Sequence, residues 1–138
     1  MITVKNFFLI ENVNLELING FEKLKTINGT FLIGGNDNLT SFKKMENIET
    51  VKGNLHIEGG YSFLSTYINL DDKIEDLNWL SNLKTVEGDL KIISCSSLKN
   101  LCGLQNLLSN DGLKGNYNVS DNLFNPSKQE IIDGNCSQ

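Results

Sequence analysis

Arginine and alanine are absent from this 138-residue chain, proline occurs once, and there is a single histidine and a single tryptophan. Each shortage excludes something. Without arginine, phosphate contacts would fall to 12 lysines that form no basic run, against a net charge of −5, so nucleic acid is not an expected partner. No apolar run approaches the ~18–20 residues that cross a bilayer, so membrane insertion is not expected. The missing alanine removes the strongest helix former and argues against a mainly helical protein, while abundant asparagine suits a chain with many tight turns. Three cysteines without a C-x-x-C or Cys/His spacing offer no zinc site, His56 reads as one outward residue on a strand, and no cofactor is expected. Met1 leads directly into patterned sequence with no signal-peptide form, so an extracellular protein would appear here as its mature part.

What the chain does have is a repeat. Thr50-Val51-Lys52-Gly53-Asn54-Leu55-His56-Ile57 returns as Thr26 to Ile33, as Thr85 to Ile92, and more loosely as Thr3 to Ile10 and Gly112 to Val119. The leading hydrophobic residues, Val4, Ile27, Val51, Val86 and Leu113, are 23, 24, 35 and 27 residues apart. The second half of each copy alternates with period 2, as a half-buried strand does. Self-similarity at this spacing predicts one domain, 1–138, folded as a mainly β solenoid of about five coils starting near residues 3, 26, 50, 85 and 112. Phe8, Phe31, Leu55, Leu90 and Tyr117 would form one inward column, and Ile10, Ile33, Ile57, Ile92 and Val119 another.

The glycine of the pattern (Gly29, Gly53, Gly88, Gly115, with Asn6 in the first copy) has two open explanations. One is a positive φ at a corner; the other is a corner with no room for a side chain. Three residues after the last strand position come Asn36, Cys95 and Asn122, where an amide or thiol would satisfy backbone groups at a turn. Between strands, apolar residues step by three (Leu39, Phe42, Met45, Ile48; Ile74, Leu77, Leu80, Leu83; Leu98, Leu101, Leu104, Leu107), which fits 3₁₀ turns or short extra strands better than α-helix.

The segments GLQNLLSNDGLKGNY and LSNLKTVEGDLKIISCSSLKNL resemble the receptor L domain, the leucine-rich-repeat-like domain of growth-factor receptors and bacterial surface proteins. The resemblance spans about Thr3 to Cys136. It implies that the coils form a right-handed β-solenoid, a binding or scaffolding role, an extracellular or cell-surface setting, and no catalytic residues.

Departures from the plain repeat supply the candidate sites. About ten extra residues, Leu64 to Lys73, interrupt the third copy, and loops held by a rigid stack often carry recognition. Tyr61, Phe63 and Tyr67, with Asp71 and Asp72 beside them, would present aromatic and polar surface to a protein or carbohydrate ligand; a surface insertion packed by its own Leu64, Ile68 and Leu70 is the other reading. Asp71, Asp72, Glu75 and Asp76 lack the spacing of a calcium loop and read as a charged turn. On the sheet face, Phe7, Leu9 and Leu32 would form an exposed apolar patch. Cys102 and Cys136 either form a disulfide pinning the C-terminal segment or stay as thiols. Ser127-Lys128-Gln129-Glu130 has capping-box form and predicts a short helix in a C-terminal cap, 125–136. Met1 and Ile2 are too little to cover the first coil, which another domain or subunit would cover. The outward columns carry no second carboxylate near Asp89, so an enzyme is not expected. The expected role is a non-catalytic binding or adhesion module, with a purely structural spacer as the alternative.

Overall fold

A computed structural model describes residues 2–12, 14–59 and 73–138. The first four copies of the repeat each contribute two short strands on either side of a corner, and the fifth contributes one. In chain order they are β1 (Ile2–Val4), β2 (Phe7–Ile10), β3 (Leu24–Ile27), β4 (Phe31–Gly34), β5 (Thr50–Val51), β6 (Leu55–Glu58), β7 (Thr85–Val86), β8 (Leu90–Ile93) and β9 (Tyr117–Ser120). α1 (Gln105–Ser109) precedes β9 and α2 (Lys128–Ile132) follows it. All pairings are parallel and build two sheets, β1-β3-β5-β7 and β2-β4-β6-β8-β9. Their inward residues, with Ile27, Val51 and Val86 from the first sheet and Phe31, Leu55, Ile57, Leu90 and Ile92 from the second, are buried in a single core.

The expected right-handed β-solenoid is corrected by this arrangement. The molecule is a small α/β protein with two parallel sheets of four and five strands and few helices, and it is not a closed β-solenoid. The reason lies on the third side of the stack. There the apolar step of three is met by 3₁₀ turns at Lys43–Met45, Asn78–Leu80 and Cys102–Leu104, in which residues three apart share one face. The residues beyond the 24-residue period in the last interval are taken up by α1, which buries Leu107 and Leu108. No third sheet forms among the described residues; that side holds only isolated bridges.

The register of the first repeat also differs from expectation. Phe7 pairs with Phe31 and Leu9 with Ile33, so the inward columns are Phe7, Phe31, Leu55, Leu90, Tyr117 and Leu9, Ile33, Ile57, Ile92, Val119. Val4 pairs with Ile27, which leaves two corner residues, Lys5 and Asn6, where the next repeat has Asn28, Gly29 and Thr30. One residue fewer at the corner moves the whole strand to the opposite face. Phe8 is therefore outward and 58% exposed, while Phe7 and Leu9 pack against the core.

Positive φ does not explain the repeated glycine. Gly29, Gly53, Gly88 and Gly115 are outside the left-handed region, and they stack: Gly53, Gly88 and Gly115 each donate N–H to the carbonyl of the glycine below at 3.0 Å. A Cβ on Gly53 would sit 2.6 Å from the Gly29 carbonyl carbon. Packing alone demands glycine here. Asn6 is no substitute for it, since Asn6 aligns with Thr30 and accepts the Thr30 N–H at 2.9 Å through Oδ1. Asn54 accepts from Asp89 N–H (2.8 Å) and Asp89 from Asn116 N–H (2.7 Å) in the same way.

The left-handed backbone is at the other corner, where the strand of the larger sheet ends. Glu11 (φ 54), Gly35 (φ 62), Ser94 (φ 57) and Asp121 (φ 57) occupy it in four repeats. The residue that follows then links the layers. Asn36 accepts the Asn12 N–H (2.9 Å) and donates to the Leu9 carbonyl (2.8 Å), and Asn122 accepts the Cys95 N–H (2.9 Å) and donates to the Ile92 carbonyl (2.9 Å). Both amides are buried and so satisfy backbone groups that the ladder leaves open.

The C-terminal end is capped on its third side. Ser127 Oγ accepts from Glu130 N–H and Glu130 Oε2 from Ser127 N–H, completing the capping box of α2. Ile131 is fully buried, Cys102 and Cys136 form a disulfide with Cα atoms 4.9 Å apart, and Asn100 bridges Ser137. The Tyr117 hydroxyl donates to the Pro126 carbonyl at 2.6 Å, and burial, with Glu130 nearby, pushes that hydroxyl well above its usual pKa.

Candidate functional site

The third side carries the most distinctive feature of the surface. Below, Leu17 bridges Ser41; above, Asp76 bridges Asn100, which bridges Ser137. Among the described residues no bridge joins Ser41 to Asp76. An open cleft of roughly 630 Å³ lies at this break, with Thr40, Ser41, Lys43 and Glu46 on one wall and Lys73, Glu75, Asp76, Asn78 and Asn82 on the other. The walls belong to the second and third repeats, and the insertion of the third repeat sets their equivalent residues, such as Ser41 and Asp76, 35 positions apart.

Two aromatic rings meet across the break. Phe42 stacks on Trp79 with centroids 4.6 Å apart and planes 10° from parallel, and Trp79 meets Phe31 edge-on at 5.9 Å. The edge-to-face contacts continue through Phe7 to Phe21, so the cleft floor is the end of an aromatic run through the core. Trp79 replaces the small or flexible residue of neighbouring repeats, Lys44 and Gly103, at the middle of the 3₁₀ turn. It is 7% exposed, and its indole N–H has no acceptor among the described residues. A buried unpaired donor is costly, and it marks this turn as less settled than its neighbours.

The walls touch at the cleft's two ends, through Lys73 Nζ to Asn38 Oδ1 (2.7 Å) and Asn82 Nδ2 to the Glu46 carbonyl (2.8 Å). Asp76 Oδ1 accepts the Asn78 N–H at 2.9 Å, and Glu75 pairs with Lys99 at 2.8 Å. The arrangement offers hydroxyl, amide and both signs of charge around an apolar floor. That chemistry suits a ligand carrying many hydrogen-bonding groups and one flat apolar face.

Tyr61, Phe63, Tyr67, Asp71 and Asp72 lie outside the described residues; they belong to the segment that leads directly into Lys73 on the cleft wall. The patch expected from Phe7, Leu9 and Leu32 does not form, because Phe7 and Leu9 face the core and only Leu32 faces outward. Phe8 stands in that row instead, followed by Leu32, His56, Lys91 and Asn118. A further outward row, Ile10, Gly34, Glu58, Ile93 and Ser120, places Glu58 Oε2 3.0 Å from His56 Nε2. Burial lowers the His56 pKa, opposed by Glu58 and reinforced by Lys91, so the imidazole is neutral at neutral pH. Glu58 was legible as the second residue beyond His56 on one strand. The cleft was not, although a lone tryptophan at a position held elsewhere by lysine and glycine was a signal for it. Among the described residues no group of three or more potential ligands could hold a metal ion, and no helix is long and apolar enough to cross a membrane.

Compared with protein-family models, curated proteins and solved structures, the chain matches none.

Proposed function

We propose that this chain is a non-catalytic recognition module that takes a protein or glycan ligand in the cleft between Ser41 and Asp76. The observation that carries the reading is the interruption of the third-side ladder by the Phe42–Trp79 ring pair, which leaves polar walls around an apolar floor. The likeness to receptor L domains favours binding over chemistry, and a cell-surface setting is part of the proposal. A disulfide joining Cys102 and Cys136 suits an oxidising compartment.

Trp79 is the only tryptophan, so its fluorescence reports on the cleft alone. The test titrates a panel of glycans and extended peptides against the wild type, Ser41→Arg and Asn78→Arg. Saturable quenching that each wall variant weakens by about tenfold, or about 1.4 kcal/mol, is expected. Equal binding by all three proteins, or no binding across the panel, rejects the reading. Tyr61→Ser and Tyr67→Ser in the same titration separate the cleft from the preceding segment.

A further inference from the structure

The two ends of the stack are unlike. At the C-terminal end the smaller sheet is closed by the Leu113–Val86 bridge and the Lys114 N–H to Val86 carbonyl bond, and the end of the third side by the disulfide and α2. At the N-terminal end β1 and β2 are the outermost strands of both sheets. Among the described residues, three of the four exposed large hydrophobics are in this first repeat, Ile2 (48%), Phe8 (58%) and Leu17 (46%), and its inward residues Val4, Phe7, Leu9, Leu15 and Phe21 are only partly buried.

The edge of β2 reads Phe-Phe-Leu-Ile, with no charge, proline or bulge to discourage pairing. Phe7 and Glu11 spend their N–H groups on β4, through the Thr30 and Gly34 carbonyls at 2.9 Å each. By alternation, Phe8 and Ile10 direct their N–H and C=O groups away from the sheet, with no strand beyond them among the described residues.

We propose that this edge binds a second copy of the chain, β2 against β2 in antiparallel register about a two-fold axis at Phe8. The strand is self-complementary in that register. Phe8 faces Phe8 of the second copy as a hydrogen-bonded pair, using the groups that β4 leaves open. Phe7 lies beside Leu9 of the second copy on the core face, covering the half-buried end of each core. Lys5 comes toward Glu11 of the other copy at both ends, so unlike charges meet. Head-to-tail stacking would instead set β2 on β9, the other outermost strand of the larger sheet, with Phe8 over the polar Asn118 and Ile10 over Ser120; the match of β2 with itself favours the closed, isologous contact. The result is one continuous ten-stranded sheet.

Sedimentation at protein concentrations up to about 100 μM tests the association. A dimer is expected, with Phe8→Lys weakening it about 100-fold while far-UV circular dichroism is unchanged, because like charges then meet on an edge. Leu123→Lys, which alters the exposed hydrophobic at the other end, leaves the dimer intact. Phe8→Cys also decides the register and stays informative if Phe8→Lys misfolds. The Cα spacing of a hydrogen-bonded antiparallel pair, ~5.5 Å, suits a disulfide, so Phe8→Cys oxidises to a covalent dimer and Leu17→Cys does not. A monomeric wild type throughout, a dimer that folded Phe8→Lys retains, or cross-linking through Leu17→Cys in place of Phe8→Cys overturns the proposal.

Discussion

Gly88 sits directly on Gly53: its N–H donates to the Gly53 carbonyl at 3.0 Å, and a Cβ added to Gly88 would lie 2.8 Å from that carbonyl's carbon and oxygen. The same contact, repeated from Gly29 to Gly115, sets how closely successive layers approach at this corner. Gly88→Ala therefore forces adjacent layers apart. A loss of about 2–3 kcal/mol is expected from chemical denaturation, in the upper range of overpacking substitutions. A loss below about 0.5 kcal/mol would show that the corner yields freely.

The opposite corner responds in the opposite direction. Ser94 is held at φ 57 without the freedom of glycine. Left-handed backbone costs an ordinary residue ~1–2 kcal/mol, partly offset in glycine by unfolded-state entropy. Ser94→Gly is expected to raise stability by about 0.5–1 kcal/mol, read as a higher denaturation midpoint at constant slope.

Asn122 joins the fourth and fifth repeats by accepting from Cys95 N–H and donating to the Ile92 carbonyl. Asn122→Ala leaves both groups buried without those partners. A cost of about 1–3 kcal/mol is expected. Hydrogen exchange measured at Cys95 should accelerate more than exchange in β4, which lies several layers away.

Removal of the disulfide by Cys102→Ser with Cys136→Ser should cost about 2–4 kcal/mol, since the link closes a long loop in the unfolded chain. The loss falls first on α2 and Ser137. Protease cleavage confined to the C-terminal segment would report it.

Glu49 bridges Lys25 and Lys84 at 2.7 Å each, and those two lysines hold its carboxyl at about 2, below its ordinary 4.5. A lowered carboxylate pKa adds stability that is complete above the unfolded value and is lost as pH falls through the folded one. The wild type's melting temperature should thus fall more steeply than that of Glu49→Gln between pH 4.5 and about 2. The Glu49 side chain is 30% exposed and its two lysines more so, so the difference should shrink in about 1 M salt.

The inward columns from Phe31 to Tyr117 and from Ile33 to Val119 were readable because a strand alternates with period 2 and the repeats are nearly congruent. The first repeat was misread for a local reason. Counting from Val4 to Phe8 assumes the four-residue step seen from Ile27 to Phe31, whereas the Lys5-Asn6 corner takes one residue fewer. The strand itself, Phe7-Phe8-Leu9-Ile10, is apolar at every position and gives no alternation to correct the count. Nothing local could reveal that Phe42 and Trp79 meet, since 36 positions separate them and both fit a buried series.

The amino-acid sequence by itself determined the repeat, its inward columns, the capping box of α2 and the places where asparagine closes a corner. These follow from patterns within a few residues or from similarity between copies. Tertiary structure decided the rest. Open sheets replaced the expected closed solenoid because 3₁₀ turns satisfy the step of three without a third sheet. Glycine proved necessary through contact with glycine in the next layer, a constraint that exists only once layers stack. The cleft became visible only where Phe42 and Trp79 stack across two layers, and the exposed Phe8 edge arose because the first layer has no layer beneath it among the described residues.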